Sequence, residues 1–343
     1  MKIIFTLSVS TLMGLLFKRI KVPGGIMVGA LVGAALLSIS ADMAYMSPMA
    51  RVAAQITAGA FIGSTISKED LKHFKRLFKP FAVLLSSMLM VNIVMGFVIH
   101  GLSGEDYLTS FLCAVPGGMS DTPIIAADMG ADAPAVALLQ FFRMVAGVGV
   151  FPSIILAATK KERDSSNAVA NSVVRSSASP VNVVLTMAVA SLCGIVGRLT
   201  GVPVGTLLFS MLGVVILHLL TGRGAVPVWL KRVAQILSGA YIGSGLKPAD
   251  VLHLRVMLLP ALLLILVYMG NCFFVSHILH RQFGFSRREA MLVATPAGAS
   301  DMALISGDIG VSNPDLNILQ IARMFTVVCL FPQIINILAV HLP

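Results

Sequence analysis

Charge is what this chain has least of. Only 12% of its 343 residues are charged and 57% are hydrophobic, where a soluble domain carries about 25% charged residues. That shortage excludes an ordinary soluble enzyme, a disordered regulator and a coiled coil. Cysteine is also sparse. Cys113, Cys193, Cys272 and Cys329 each sit in an apolar stretch with no CxxC spacing, so they read as small buried residues rather than a disulfide framework or a metal site. His73, His100, His253 and His280 fall at loop ends, and no HxH or HExxH pattern occurs. No G-x-S-x-G, Walker or Rossmann glycine pattern is present either. The expectation is therefore a protein that is not an enzyme and holds no cofactor or metal.

What remains is apolar length. The mean hydropathy is +0.92. Roughly 20 apolar residues cross a bilayer, so the chain has room for about ten crossings and no sizeable soluble domain. Residues 1–19 resemble a secretory signal, but they lack an A-x-A-like site, end in a basic cluster and recur in mid-chain, so a membrane helix is expected there.

The chain is duplicated. Residues 11–155 align with 191–335 at a constant offset of 180 without a gap, with about a quarter of the positions identical. AQITAGAFIGS (54–64) answers AQILSGAYIGS (234–244), and AVPGGMSD (114–121) answers ATPAGASD (294–301). Pro80, Pro116, Pro134 and Pro152 recur as Pro260, Pro296, Pro314 and Pro332. Apolar stretches share Leu and Val by chance, but not prolines, an Asp and an Arg in register. The halves are residues 1–158 and 181–343, joined by a polar linker, 159–180.

Each half offers six apolar segments, the fifth of which (108–130 in the first half) is cut at its middle by PGGMSD. Its two arms of about eight or nine residues rise only about 12 Å each, which predicts a re-entrant helical hairpin rather than a crossing. With five crossings per half the second copy is inserted upside down. Loops 18–21, 67–79, 159–180, 221–232 and 281–288 then share one side and hold 18 Lys and Arg, against 5 on the other. Six crossings per half would erase that bias, so the positive-inside rule favours the inverted arrangement. The net charge of +10 becomes a matter of topology, and no nucleic-acid partner is expected. The predicted fold is an all-α membrane protein of two inverted repeats, each with about five transmembrane helices plus a re-entrant hairpin, multi-pass in a bacterial inner membrane.

Inverted repeats around broken helices are how many secondary transporters place a solute near the midplane. The tips supply the candidate substrate-binding residues: Pro116, Gly117, Gly118, Ser120 and Asp121 in one copy, Pro296, Gly298, Ser300 and Asp301 in the other. The N–H groups and positive dipole ends of the second arms suit an anion. Alternatively, Asp121 and Asp301 N-cap those arms. Arg143 and Arg323, with Gln140 and Gln320 one turn earlier on the same face, lie deep in apolar spans, where an ionisable residue needs a partner. Either each Arg pairs with an Asp of its own hairpin, or it receives a carboxylate-like solute while Asp128 and Asp308 carry a coupling proton or sodium ion. The small residues of 54–64 and 234–244 predict close helix packing in preference to a pore-lining role for Gln55 and Gln235. The basic stretch 68–79 is expected to lie on the inner leaflet as a surface helix.

PGGMSD followed by GADAPAVALLQFFR, its degenerate second copy, and KVPGGIMVGALVGAAL echoed by GVPVGTLLFSMLGVVI resemble the bacterial AbrB-type membrane family, which is unrelated to the small DNA-binding AbrB regulators. The likeness covers essentially the whole chain. It implies an architecture similar to cation–proton antiporters and to anion carriers with Gly-Gly hairpin tips. Members carry the labels transcriptional regulator and ammonia monooxygenase, but no DNA-binding or catalytic motif accompanies either label here. The second tip departs from the pattern with Pro-Ala-Gly, so the two hairpins are not expected to contribute equally. The expected function is transport of a small organic anion, with a membrane sensor acting indirectly on gene expression as the alternative and a monooxygenase subunit third. The partners are the lipid bilayer, the solute and a coupling proton or sodium ion; a homo-oligomer is compatible with all of these.

Overall fold

The computed structural model describes residues 2–20, 22, 24–41, 43–66, 68–119, 121–158, 179–222, 224, 226–248, 254–296 and 314–342. Among these, regular structure is entirely helical. In the first half the helices are α1 (Lys2–Arg19), α2 (Gly25–Ala41), α3 (Pro48–Gly63), α4 (Lys68–Ser103), α5 (Tyr107–Ala114), α6 (Thr122–Met129), α7 (Ala133–Val145) and α8 (Phe151–Ala158). The second half contributes α9 (Pro180–Leu199), α10 (Gly205–Thr221), α11 (Val228–Ser244), α12 (Leu258–Phe283), α13 (Arg287–Ala294) and α14 (Pro314–His341). Adding 180 carries α2 onto α10 and α5 onto α13 residue for residue.

Four spans among the described residues are long and apolar enough to cross a bilayer: His73–Ser103, Pro180–Leu199, Arg255–Phe283 and Ile318–His341. Gly25–Ser40, Ala133–Val145 and Gly205–Thr221 are apolar but shorter. The expected surface helix at 68–79 is not a separate element. It forms the first three turns of α4, which runs on through Pro80 for 36 residues, about 54 Å against a hydrocarbon core of about 30 Å. Segment 134–158 is likewise not one regular helix. A π-helical turn, Ala146–Val150, separates α7 from α8. Pro152 follows it and has no N–H for the preceding turn, a known cause of such widening.

The small-residue blocks pack helices as expected. A Cβ on Gly59 would come within 2.6 Å of the Leu207 carbonyl oxygen, and one on Gly63 within 2.5 Å of that of Met211. In the other copy, Gly239 meets the Met27 carbonyl at 2.5 Å and Gly243 that of Leu31. Each α3-type helix is thus seated on the α2-type helix of the opposite half, running in the same direction. Backbone-to-backbone approach of this kind is what small residues permit where lipid supplies no hydrophobic drive.

The two glycine-bearing helices also meet each other. Arg51 of α3 lies 5.8 Å from the centre of the Tyr241 ring of α11. Lys231 of α11 lies 4.7 Å from that of Phe61 of α3. Early residues of each helix face late residues of the other, so α3 and α11 are antiparallel. The two cation–ring contacts are equivalent under the 180-residue offset. Helices α1–α3 and α9–α11 pack on one another, and α4, α5, α7 and α12–α14 enclose the main apolar core around Met88, Met95, Phe111, Tyr268 and Phe331. Helix α6 touches both α3 and α11.

Candidate functional site

The hairpin of the first half is built from contacts at both ends. Asp106 accepts from Thr109 N–H at 2.7 Å and starts α5. The helix then runs back along α4, with Asn92 donating to the Phe111 carbonyl at 2.8 Å and His100 stacked on Tyr107. It stops at Ala114, where Pro116 offers no N–H to continue it. Helix α6 begins at Thr122 and ends on Gly130 in the left-handed region at φ 83°, and Asp132 caps α7 by accepting from Ala135 N–H at 2.9 Å. The Asp132 N–H donates to the Thr109 hydroxyl at 3.0 Å. Gln140, two turns up α7, donates to the Val115 carbonyl at 3.0 Å. Helices α5 and α7 therefore run side by side in the same direction, and α6 is the returning arm.

The tip is tight. A Cβ on Gly118 would fall 2.5 Å from Asp121 Oδ2, and one on Gly117 would strike the Thr122 hydroxyl. Arg143 is buried and donates to the carbonyls of Val115 and Gly117. The guanidinium sits at the C-terminal end of α5, where unpaired carbonyls and the negative dipole end favour a cation. The second half repeats the device. Gln320 donates to Leu292 at 2.8 Å, and Arg323 to the carbonyls of Thr295 at 2.6 Å and Val293 at 3.4 Å. Pro296 is buried beside it. Ser120, Gly298, Ser300, Asp301 and Asp308 lie outside the described residues.

Three expectations are corrected. Arg143 does not pair with an Asp of its hairpin, because backbone carbonyls of the broken helix occupy it. Asp128 is instead held by Arg51 at 3.3 Å, and the same Arg51 donates to the Ala127 carbonyl at 2.6 Å. Asp121 stands at the N-cap of α6 but makes no capping bond, since its own backbone is helical there. Two N–H groups at the start of that arm are not free for an anion either. Those of Asp121 and Thr122 both donate to the Gly118 carbonyl, at 3.2 and 3.0 Å, and Pro123 has none.

Sequence reasoning missed Arg51, Lys231 and Tyr268. The Tyr268 hydroxyl, fully buried on α12, donates to the Ala114 carbonyl at 2.7 Å and so ties the second half to the broken end of α5. The missed signal for Arg51 and Lys231 was their equivalence in the repeat, two cations at the same place in two corresponding helices. Lys231, Gln235, Ser238, Asp121, Phe61 and Met324 line a cavity of about 40 Å³ between the halves, enough for a water or two. Gln55, the repeat partner of Gln235, is fully buried, and neither of its side-chain polar atoms has a hydrogen-bond partner among the described residues. A second cleft, of about 540 Å³, opens past Tyr45, Ala127, Asp132, Pro134 and Tyr241 at the Arg51 end of the α3–α11 pair.

The sequence profile described as transition state regulatory protein AbrB matches the chain twice, over residues 1–154 and 43–339. A Bacillus subtilis (strain 168) protein named "Uncharacterized protein YhjN" is 27% identical over 297 residues, covering 83% of this chain and 77% of its own. An Escherichia coli (strain K12) protein named "Putative regulator AbrB" is 25% identical over 346 residues, covering 97% and 95%. With its broken hairpin, its repeated arginine device and a profile match along nearly its whole length, the chain belongs to the AbrB family.

Proposed function

We propose that the protein is a secondary transporter of a small organic anion, working by alternating access in the bacterial inner membrane with proton or sodium coupling. One observation carries the reading. Two antiparallel copies, α3 and α11, cross beside a broken hairpin whose Asp121 shares a cavity with Lys231 of the opposite half. In a bilayer, antiparallel copies become inverted repeats, and such repeats can exchange conformations around a central site. The 18-to-5 division of Lys and Arg between the two sides supports the same topology. Non-helical backbone at 115–121 is tolerated at membrane depth where it is buried or lines a cavity.

The sign of the solute follows from Arg143 and Lys231. Neither forms an ion pair among the described residues; a carboxylate entering the cavity between the halves would meet Lys231, beside a tip held by the Arg143 guanidinium. Asp121, with no hydrogen-bond or ion-pair partner for its carboxylate among the described residues, is the acid free to take a coupling ion, whereas Asp128 is engaged by Arg51. Catalysis and cofactors have no part in this reading.

The test is reconstitution. Purified protein screened by thermal shift against small carboxylates yields a ligand, which is then followed into proteoliposomes under an imposed pH or sodium gradient. The proposal expects gradient-driven uptake that is abolished by Asp121→Asn and Arg143→Gln in folded protein. The regulator name of the Escherichia coli relative favours a second reading, a sensor that keeps this scaffold and acts on gene expression indirectly. Absence of flux across the panel, with altered transcription on deletion, selects that reading.

A further inference from the structure

A groove of about 310 Å³ runs between the two halves, lined by Phe74 and Phe81 of α4, Val215 and Leu219 of α10, and Ile321 and Phe325 of α14. Its volume is at the lower end of cavities that hold an organic ligand, about 300 Å³ and upward. Nothing in that lining compensates an ionic solute, so the groove suits hydrocarbon. Its rim is different. Phe74 and Phe81 lie two turns apart on one face of α4, while Lys68, Lys75, Arg76 and Lys79 occupy the flank and back of the same turns, all exposed. The sequence 67–79 holds five Lys and Arg and overlaps the start of the apolar span His73–Ser103. Phe78 is 59% exposed among them, an aromatic on a basic stretch of the kind found at membrane interfaces. Clusters of cations directly beside a membrane helix recognise anionic headgroups.

We infer that this groove is a binding site for one anionic phospholipid. An acyl chain lies between α4 and the α10–α14 pair, and the phosphate is held by Lys75 and Lys79, one turn apart on α4. A zwitterionic lipid offers the same chain without net headgroup charge, so charge complementarity selects the anionic one. The occupant bridges an element of the first half and two of the second. The site is independent of what the protein moves, or of whether it moves anything.

The full chain, purified in detergent, is titrated with phosphatidylglycerol and with phosphatidylcholine of identical acyl chains. Retention is read by native mass spectrometry and stability by thermal shift. Phosphatidylglycerol should persist as a one-to-one adduct and raise the melting temperature more than phosphatidylcholine does. Lys75→Gln and Lys79→Gln should each weaken that preference about fivefold, while Arg198→Gln on α9 leaves it intact. Occupancy of the groove itself is read by fluorescence, with the single Trp229 replaced by Phe and Phe74→Trp introduced. Brominated phosphatidylglycerol should quench the new tryptophan at substoichiometric lipid, and brominated phosphatidylcholine should not. Equal retention of the two lipids, indifference to the lysine substitutions, or equal quenching by both brominated lipids overturns the assignment.

Discussion

Asp132 donates its backbone N–H to the Thr109 hydroxyl across 3.0 Å although 23 residues separate them. That bond closes the base of the hairpin and makes α5 and α7 neighbours running the same way. It also puts Arg143 within reach of the carbonyls where α5 is broken. The arginine replaces, for those carbonyls, the N–H groups that the next turn of helix would have supplied.

Replacing Arg143 by Gln should therefore loosen the tip more than it loosens any helix. It leaves the Gly117 carbonyl without its side-chain donor and the Val115 carbonyl with Gln140 alone, at a cost of about 1–3 kcal/mol for a buried acceptor. Hydrogen exchange of residues 115–119 should rise while that of α4 stays unchanged. Equal exchange across both regions would show that the guanidinium is not a local cap.

Tyr268→Phe keeps the ring and removes only the hydroxyl that reaches Ala114 from the opposite half. The expected loss is again about 1–3 kcal/mol, read as a lower melting temperature in detergent. An unchanged melting temperature would mean that another donor, or water, serves Ala114 equally well.

The Arg51–Asp128 pair, with side chains 23% and 20% exposed, should show a coupling of about 0.5–1 kcal/mol in a double-mutant cycle of Arg51→Gln and Asp128→Asn. The same cycle between Arg143 and Asp128 should return no coupling. The reverse result would restore the pairing that the spacing alone suggested.

Glycine positions separate by what a methyl group would meet. Gly59→Ala pushes a Cβ onto the Leu207 backbone and should cost about 1–3 kcal/mol of stability. Gly270→Ala in α12 meets nothing within 4 Å and should be neutral or gain up to about 1 kcal/mol from helix propensity. Thermal unfolding of the two variants side by side decides the matter; similar losses would refute a packed seam.

The two ends of equivalent helices give the sharpest check on orientation. Leu102 and Gln282 are repeat counterparts, both exposed near the ends of α4 and α12. In a background without Cys113, Cys193, Cys272 and Cys329, single cysteines at these positions should be labelled by an impermeant maleimide from opposite faces of the membrane. Labelling from one face would mean parallel copies.

Much of the architecture was legible because duplication writes the same signals twice. Pro116 located the break of the hairpin, PGG located the tip, and the 54–64 and 234–244 blocks located the helix contacts, whereas Pro80 and Pro332 lie inside unbroken helices. What was not legible depends on distance between elements. Residue types suggest that Arg143 needs a partner but not that the partner is backbone, since a carbonyl has no letter of its own. Arg51 reaches Asp128 across 77 positions of chain, and Tyr268 reaches Ala114 across 154; neither separation leaves a local pattern. The change from basic to apolar composition at Pro80 looked like a boundary between elements. Proline within a long helix removes one hydrogen bond, and packing of Phe74, Leu77 and Phe81 on the core evidently outweighs it.

The exchanged glycine seams have a bearing on how the molecule is made. Gly59 and Gly63 leave the ribosome long before Leu207 and Met211, and Met27 and Leu31 wait longer still for Gly239 and Gly243. Neither half is self-sufficient on emerging. The glycine seams of the first half stay uncovered until α11 has been synthesised, and the main core waits longer still, for Tyr268 of α12 and Phe331 of α14.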